Sequence, residues 1–213
     1  MLKIDDKNVD QYRAGTYPDV FELRWYDRPL NPKVLSNFPN LQRLVCRGLG
    51  LTTLKGIEAC PQLIELDCSS NYLKRLTGLE NCDQLNILDC SGTHLESLEG
   101  IQCCQQIRTL VCAHNHIKTL KELGDRPLLC ELDCSNNNLK TLADIGCCPL
   151  VRKLRCCSNK LTNINGLGHM PALEELDCSN NLIRKLDGIE RFPKLHMLCY
   201  DGNPLGEHSQ ARC

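Results

Sequence analysis

The chain has 213 residues, with 25 Lys and Arg against 26 Asp and Glu, for a net charge of −1. That balance excludes a globally basic or acidic surface as the basis of partner choice. No apolar run of about 18 residues is present to cross a membrane.

Residues 1–40 do not share the pattern that follows and read as an N-terminal cap with a half repeat. The opening Met-Leu-Lys-Ile-Asp-Asp-Lys lacks the apolar core of a secretion signal. Most of the aromatics lie here: Tyr12, Tyr17, Phe21, Trp25 and Tyr26. Val20–Tyr26 alternates apolar and polar, which predicts a strand covering the first turn of a stacked array. An aromatic ligand cage is the functional alternative. Leu35 to Pro39 then reads as a half unit feeding the first full one.

From Leu41 onward one unit is copied without insertion or deletion. Units begin at Leu41, Leu63, Leu85, Ile107, Leu129, Val151, Leu173 and Leu195. The fourth position is leucine throughout, from Leu44 to Leu198. The sixth is Cys46, Cys68, Cys90, Cys112, Cys134, Cys156 and Cys178, each 22 residues after the last, until Tyr200. The ninth is Asn71, Asn115, Asn137, Asn159, Asn181 and Asn203, with Leu49 and Thr93 as exceptions. Alternation at Leu66 and Cys68 predicts a short strand with those side chains inward and 65, 67 and 69 outward. Most second halves end in proline (Pro39, Pro61, Pro127, Pro149, Pro171, Pro193), which suits a return segment just before a strand. That return is too short for a regular helix and predicts extended chain with 3₁₀ turns. The asparagines are expected to bond the backbone of adjacent turns.

The unit Leu63-Ile-Glu-Leu66-Asp-Cys68-Ser-Ser-Asn71-Tyr-Leu73 resembles the leucine-rich repeat, LxxLxLxxNxL. Its length and the LxGLxxC second half are similar to the 22-residue class of internalins and a nuclear regulator of protein phosphatase 1. The cysteine-rich variant resembles proteins of bacteria and large DNA viruses. The resemblance implies an α/β solenoid: a curved parallel sheet on the concave side, extended and 3₁₀ segments on the convex side. The resemblance covers about residues 33–205, and the chain reads as one domain with eight repeats at 41–205, the last partial, and a tail at 206–213. It names an architecture and no single activity. One unit alone cannot offset about 1–2 kcal/mol of backbone entropy per residue, so only the stack is stable.

The 17 cysteines do not read as a disulfide framework. The total is odd, and equivalent positions on parallel strands stack near 5 Å at Cβ, beyond the roughly 3.8 Å a disulfide prefers. No CxxC or CxxH spacing supports a metal site. Cysteine is read instead as a small buried hydrophobe. A second column, Cys60, Cys82, Cys104 and Cys148, alternates with Phe38, Met170 and Phe192. Free thiols on this scale imply an intracellular, reducing compartment: cytoplasm, including that of a host cell.

Outward strand positions form columns on the concave face. Lys153 falls between Glu131 and Glu175, and Arg155 between Asp133 and Asp177, so that half is expected to neutralise itself. In the N-terminal half Glu65, Asp67 and Asp89 have only Arg43 and Arg47 as counter-charges, with Ile87, Val111 and Ala113 expected beside them and exposed. An apolar strip flanked by carboxylates suits a basic, amphipathic segment of a protein partner. The alternative is nucleic acid or another polyanion on a basic strand-exit flank of Lys74, Arg75, Lys118, Lys140, Arg184 and Lys185, interrupted by Glu96 and without interleaved aromatics. His94, His114 and His116 are weak metal candidates from neighbouring units.

No Gly-rich phosphate loop, HExxH or GxSxG occurs, and the repeated Asp-Cys-Ser buries its thiol. The sequence therefore predicts a non-catalytic scaffold with no cofactor. The few residues after Leu205 leave the last strand uncovered, so a homodimer through that edge is a further expectation. Cys213 is the last residue, not fourth from the end, and is not a prenylation site.

Overall fold

A computed structural model describes residues 1–4, 8–26 and 32–206. The contacts form two compact units: Met1–Leu95 with Glu99–Ile107, and Glu96–Leu98 with Arg108 onward. Residues 207–213, most of the tail, lie outside the described residues.

The first unit holds β1 (Leu2–Ile4), β2 (Glu22–Trp25), β3 (Arg43–Val45), β4 (Glu65–Asp67) and β5 (Ile87–Asp89), parallel and paired in chain order. The expected cap strand is β2, and β1 adds a second that the sequence reading lacked. Leu23 is in register with Leu44, and Trp25, two residues on, fills the slot that cysteine takes in later turns, 1% exposed. The cap is thus a degenerate turn of the same ladder, with one large ring where the repeats place a thiol. The rings of Tyr12, Tyr17 and Phe38 pack on one another at 5.2, 6.0 and 5.5 Å between centroids. The Tyr17 hydroxyl donates to Gln11 O and Ala14 O. These rings pack with one another and with the chain's own backbone; Phe21 and Tyr26 are exposed. A single-turn helix, α1 (Pro32–Leu35), precedes the first repeat.

The second unit holds β6 (Thr109–Val111), β7 (Glu131–Asp133), β8 (Lys153–Arg155), β9 (Glu175–Asp177) and β10 (Met197–Cys199), again parallel and in chain order. Leu132, Leu154, Leu176 and Leu198 pair directly across these strands.

The return segments are extended chain with 3₁₀ turns at Ile57–Ala59, Ile101–Cys103 and Ile189–Arg191. The proline column has a specific use. Leu63 N donates to Cys60 O, Val151 N to Cys148 O and Leu173 N to Met170 O, which puts Pro61, Pro149 and Pro171 at the second position of a tight turn. Proline's fixed φ favours that position, and its missing N–H is not needed there.

Every cysteine of the sixth-position column is 0% exposed. Cys68 and Cys134 donate through Sγ to Asp89 O and Arg155 O, each at 3.4 Å. Asn71 shows the role of the asparagine column. Its Oδ1 accepts from Leu49 N and Leu51 N, and its Nδ2 donates to Cys46 O and Cys68 O, at 2.7 to 3.0 Å. One buried amide thereby ties two consecutive turns. Asn137, Asn159 and Asn181 repeat the pattern. At Thr93, one of the exceptions, the hydroxyl donates to Cys90 O at 2.9 Å.

Candidate functional site

The outward face of the first unit is built from β3, β4 and β5. Arg43 Nε lies 2.9 Å from Glu65 Oε1, an ion pair whose N–H is not aligned for a hydrogen bond. Glu65 is therefore matched within the chain. Asp67 and Asp89 are in direct register on neighbouring strands, about 4.8 Å apart. Neither has an ion pair among the described residues. Each Oδ1 is occupied: Ser69 donates both N–H (3.0 Å) and Oγ (2.6 Å) to Asp67, and Ser91 does the same to Asp89 at 2.9 and 2.6 Å. These bonds fix the two carboxylates, which are half-buried. Ile87 is 38% exposed, and Ile64, whose carbonyl accepts from Ile87 N at 3.0 Å, is 40% exposed. Arg47 is exposed at the strand exit.

Two expectations for this face need correction. The seventh position does not point outward: Ser69 is 2% exposed. The reason is the turn that follows. The eighth residue takes a left-handed backbone, as at Ser70 (φ 56), Gly92 (φ 59), His114 (φ 55) and Asn136 (φ 53), so the strand's alternation ends one residue earlier. For the same reason Ala113, in the second unit, is buried at 5% rather than exposed beside the carboxylates. Val111, which ends β6 before that turn, is half-buried like the other fifth-position residues Asp67 and Asp89.

The second unit uses the same Asp–Ser turns at Asp133 and Asp177. Here the chain supplies its own cations. Lys153 Nζ is 3.2 Å from Glu175, and Arg155 stands in register between Asp133 and Asp177. A hollow of about 110 Å³ lies over β8–β10, lined by Lys153, Arg155, Glu175, Asp177, Met197 and Cys199. Nothing in the repeat consensus marks it, because its walls are the variable positions.

The basic-flank residues are exposed: Lys74 and Arg75 in the first unit, Lys118, Lys140, Arg184 and Lys185 in the second. Arg75 pairs with Glu99 at 2.8 Å. The flank is not bare of aromatics, as the sequence reading had it. Tyr72, two residues before Lys74 and 58% exposed, stacks on His94 at 5.4 Å with planes 10° apart. His114 and His116 are exposed in the second unit. Among the described residues no group of three or more His, Cys, Asp or Glu is placed to hold a metal.

Burial raises the thiols of Cys68, Cys134 and Cys156 well above the ordinary range, and neighbouring ladder thiols add to it. Cys60, Cys82 and Cys178 are pushed up to about 12, first by burial. Such groups are packing elements and poor nucleophiles. One core residue escaped the sequence reading. Arg126 occupies the slot of Cys60, Cys82, Cys104 and Cys148, and is 2% exposed. Its mismatch with that column was the available signal.

Neither a family model nor a curated protein sequence matches the chain. Solved structures do. YopM from Yersinia enterocolitica is similar over 92% of this chain and 40% of its own, with 27% identity and a TM-score of 0.69. InlJ from Listeria monocytogenes, whose functional domain includes a cysteine ladder, is similar over 87% of this chain and 41% of its own, with 28% identity and a TM-score of 0.66. Toll, from the Drosophila Toll–Spatzle complex, covers 87% of this chain and 27% of its own, with 17% identity and a TM-score of 0.74. The fold is that of the leucine-rich repeat proteins. The chain spans well under half the length of each of these three. No helix among the described residues is long and apolar enough to cross a membrane.

Proposed function

We propose that this leucine-rich repeat chain is a non-catalytic interaction module that binds a protein partner on the outward face of its first unit, the side expected to be concave. The observation that carries this reading is the Asp67–Asp89 pair, fixed by its serines and without an ion pair among the described residues, with Ile87 exposed on the strand that bears Asp89. Rigid polar groups next to apolar area are what a partner surface requires. The partner is a basic, amphipathic protein segment, matched by charge to the two carboxylates. Toll, in its complex with Spatzle, is a leucine-rich repeat protein with a protein partner. Sixteen free thiols among the described residues suit a reducing compartment, so we place the chain inside a cell. The polyanion reading is weaker because Arg75 is already matched by Glu99.

Capture from lysate with paired variants tests the reading. A protease-sensitive partner lost with Asp67→Lys/Asp89→Lys, but retained with Lys74→Ala/Lys118→Ala, is the expected result. Nuclease-sensitive capture that disappears with Lys74→Ala/Lys118→Ala and survives the aspartate reversals would overturn it.

A further inference from the structure

We infer that two copies of this chain pair through β10, edge to edge and antiparallel, about a twofold axis at Leu198. The second copy covers the apolar positions that the preceding turn keeps buried. The pairing uses no residue of the first unit.

The uncovered surface comes first. Among the described residues β10 is hydrogen-bonded to β9 alone. One turn earlier Leu173, Leu176 and Cys178 are at most 1% exposed. Their counterparts Leu195, Leu198 and Tyr200 are half-buried, and Met197 is 50% exposed. An apolar strand edge of this kind is a template for a further strand.

The backbone sets the register. Glu174 O accepts from Met197 N at 3.1 Å, and Cys178 N donates to Cys199 O at 2.8 Å. The equivalent groups on β10 are His196 O and Tyr200 N. Alternate residues of a parallel strand bond to the same side, so Leu198 N and O point outward with them. None of these groups meets a partner among the described residues. Turned about Leu198, the two copies exchange both Leu198 bonds, and Tyr200 N of each donates to the other's His196 O. That register sets Leu198 against Leu198 on the core side and Met197 against Cys199 on the outward side.

Charge decides the direction. Lys194 and His196 are exposed at the strand entry. Asp201 is exposed at the exit and makes no ion pair among the described residues. An antiparallel copy lays entry against exit and brings Lys194 of each copy beside Asp201 of the other. A copy added in parallel would lay entry against entry and give up that match.

Sedimentation equilibrium of the full chain between about 1 and 100 μM reads the mass, and we expect the dimer. Met197→Lys/Cys199→Lys sets lysine against lysine across the axis and should weaken it about tenfold or more. Met197→Lys/Cys199→Glu keeps the first change, sets opposite charges together and should restore the dimer. Both sites are exposed, so neither variant disturbs the core. Oxidation of Met197→Cys should join the introduced thiol to Cys199 of the other copy. Cross-strand neighbours of this kind lie about 4.5 Å apart at Cα, within disulfide range, and peptide mass maps the bond. A single-chain mass at about 100 μM, a dimer indifferent to both charge variants, or masses growing beyond two copies would overturn the twofold pairing. Loss of the dimer in both charge variants, or no bond between those two positions, would overturn the antiparallel register.

Discussion

Ser69 donates its hydroxyl to Asp67 Oδ1 at 2.6 Å and its backbone N–H to the same oxygen at 3.0 Å. The repeated Asp-Cys-Ser is thus a turn device: carboxylate outward, thiol inward, and a buried hydroxyl that closes the strand exit. One residue serves both the fold and the face, and the two roles separate by substitution. Asp67→Ala strands the buried Ser69 hydroxyl and should cost about 1–2 kcal/mol. Asp67→Asn should cost less than about 0.5 kcal/mol, because the acceptor remains. Urea midpoints at neutral pH check both.

Asn137 accepts from Ile117 N and donates to Cys112 O and Cys134 O, at 2.9 to 3.1 Å. Asn137→Ala leaves those groups without their partner in a site 7% exposed. The expected loss is about 2–4 kcal/mol, since each stranded buried group costs roughly 1–3 kcal/mol. Asn137→Asp keeps the acceptor, loses the donors and should be about as damaging. Equilibrium denaturation of both variants measures this.

Arg126 stands in a column otherwise filled by Cys, Phe or Met. Its Nη1 donates to Asp125 O at 3.4 Å, and its backbone N–H to Cys147 O at 3.0 Å. The backbone bond survives any substitution, whereas the charge is held out of water. Removing one buried charged group leaves the groups it contacts without their partner and costs about 3–5 kcal/mol. Arg126→Cys should therefore lower the urea midpoint. A clear rise would mean that the desolvated charge outweighs the contacts it makes.

The fully buried thiols set an alkaline limit. In the folded chain Cys46, Cys68, Cys134 and Cys156 are held above the ordinary thiol value of 9.0, chiefly by burial. The unfolded chain releases those protons near the ordinary value, so it binds fewer protons than the folded chain above it. Their stabilisation is complete below that pH and is lost as pH climbs toward the folded values. At about pH 10 each costs about 1.4 kcal/mol, and four cost about 6 kcal/mol, comparable to a whole domain's stability of about 5–15 kcal/mol. Circular dichroism should show cooperative unfolding between about pH 9.5 and 11. Replacing Cys68 and Cys134 by alanine should move the transition upward in pH.

The leucine, cysteine and asparagine columns were legible because each turn makes the same demand at the same place. A buried amide tying two turns leaves no choice of residue type, and twenty-two residues later the demand returns. Outward positions carry no such constraint, so the Arg43–Glu65 pair, the hollow beside Met197 and the Tyr72–His94 stack had no periodic signal. Ala113 and Ser69 were misplaced because a two-residue period holds only while the strand lasts. The left-handed eighth residue ends it, and the cue was there: glycine, asparagine or serine recurs at that position, with His114 the departure. The strand Leu2–Ile4 is three residues long, too short for alternation to distinguish it from loop.

Thiol labelling of the native chain, mapped by peptide mass, probes the register on which every surface assignment stands. Cys103, Cys147 and Cys199 are exposed and should react within the time of mixing, while Cys46, Cys68, Cys90, Cys112, Cys134, Cys156 and Cys178 stay unmodified until the chain is unfolded. Modification of Cys68 and Cys90 in the folded chain as fast as Cys103 would contradict the inward ladder, and with it the face that bears Asp67 and Asp89.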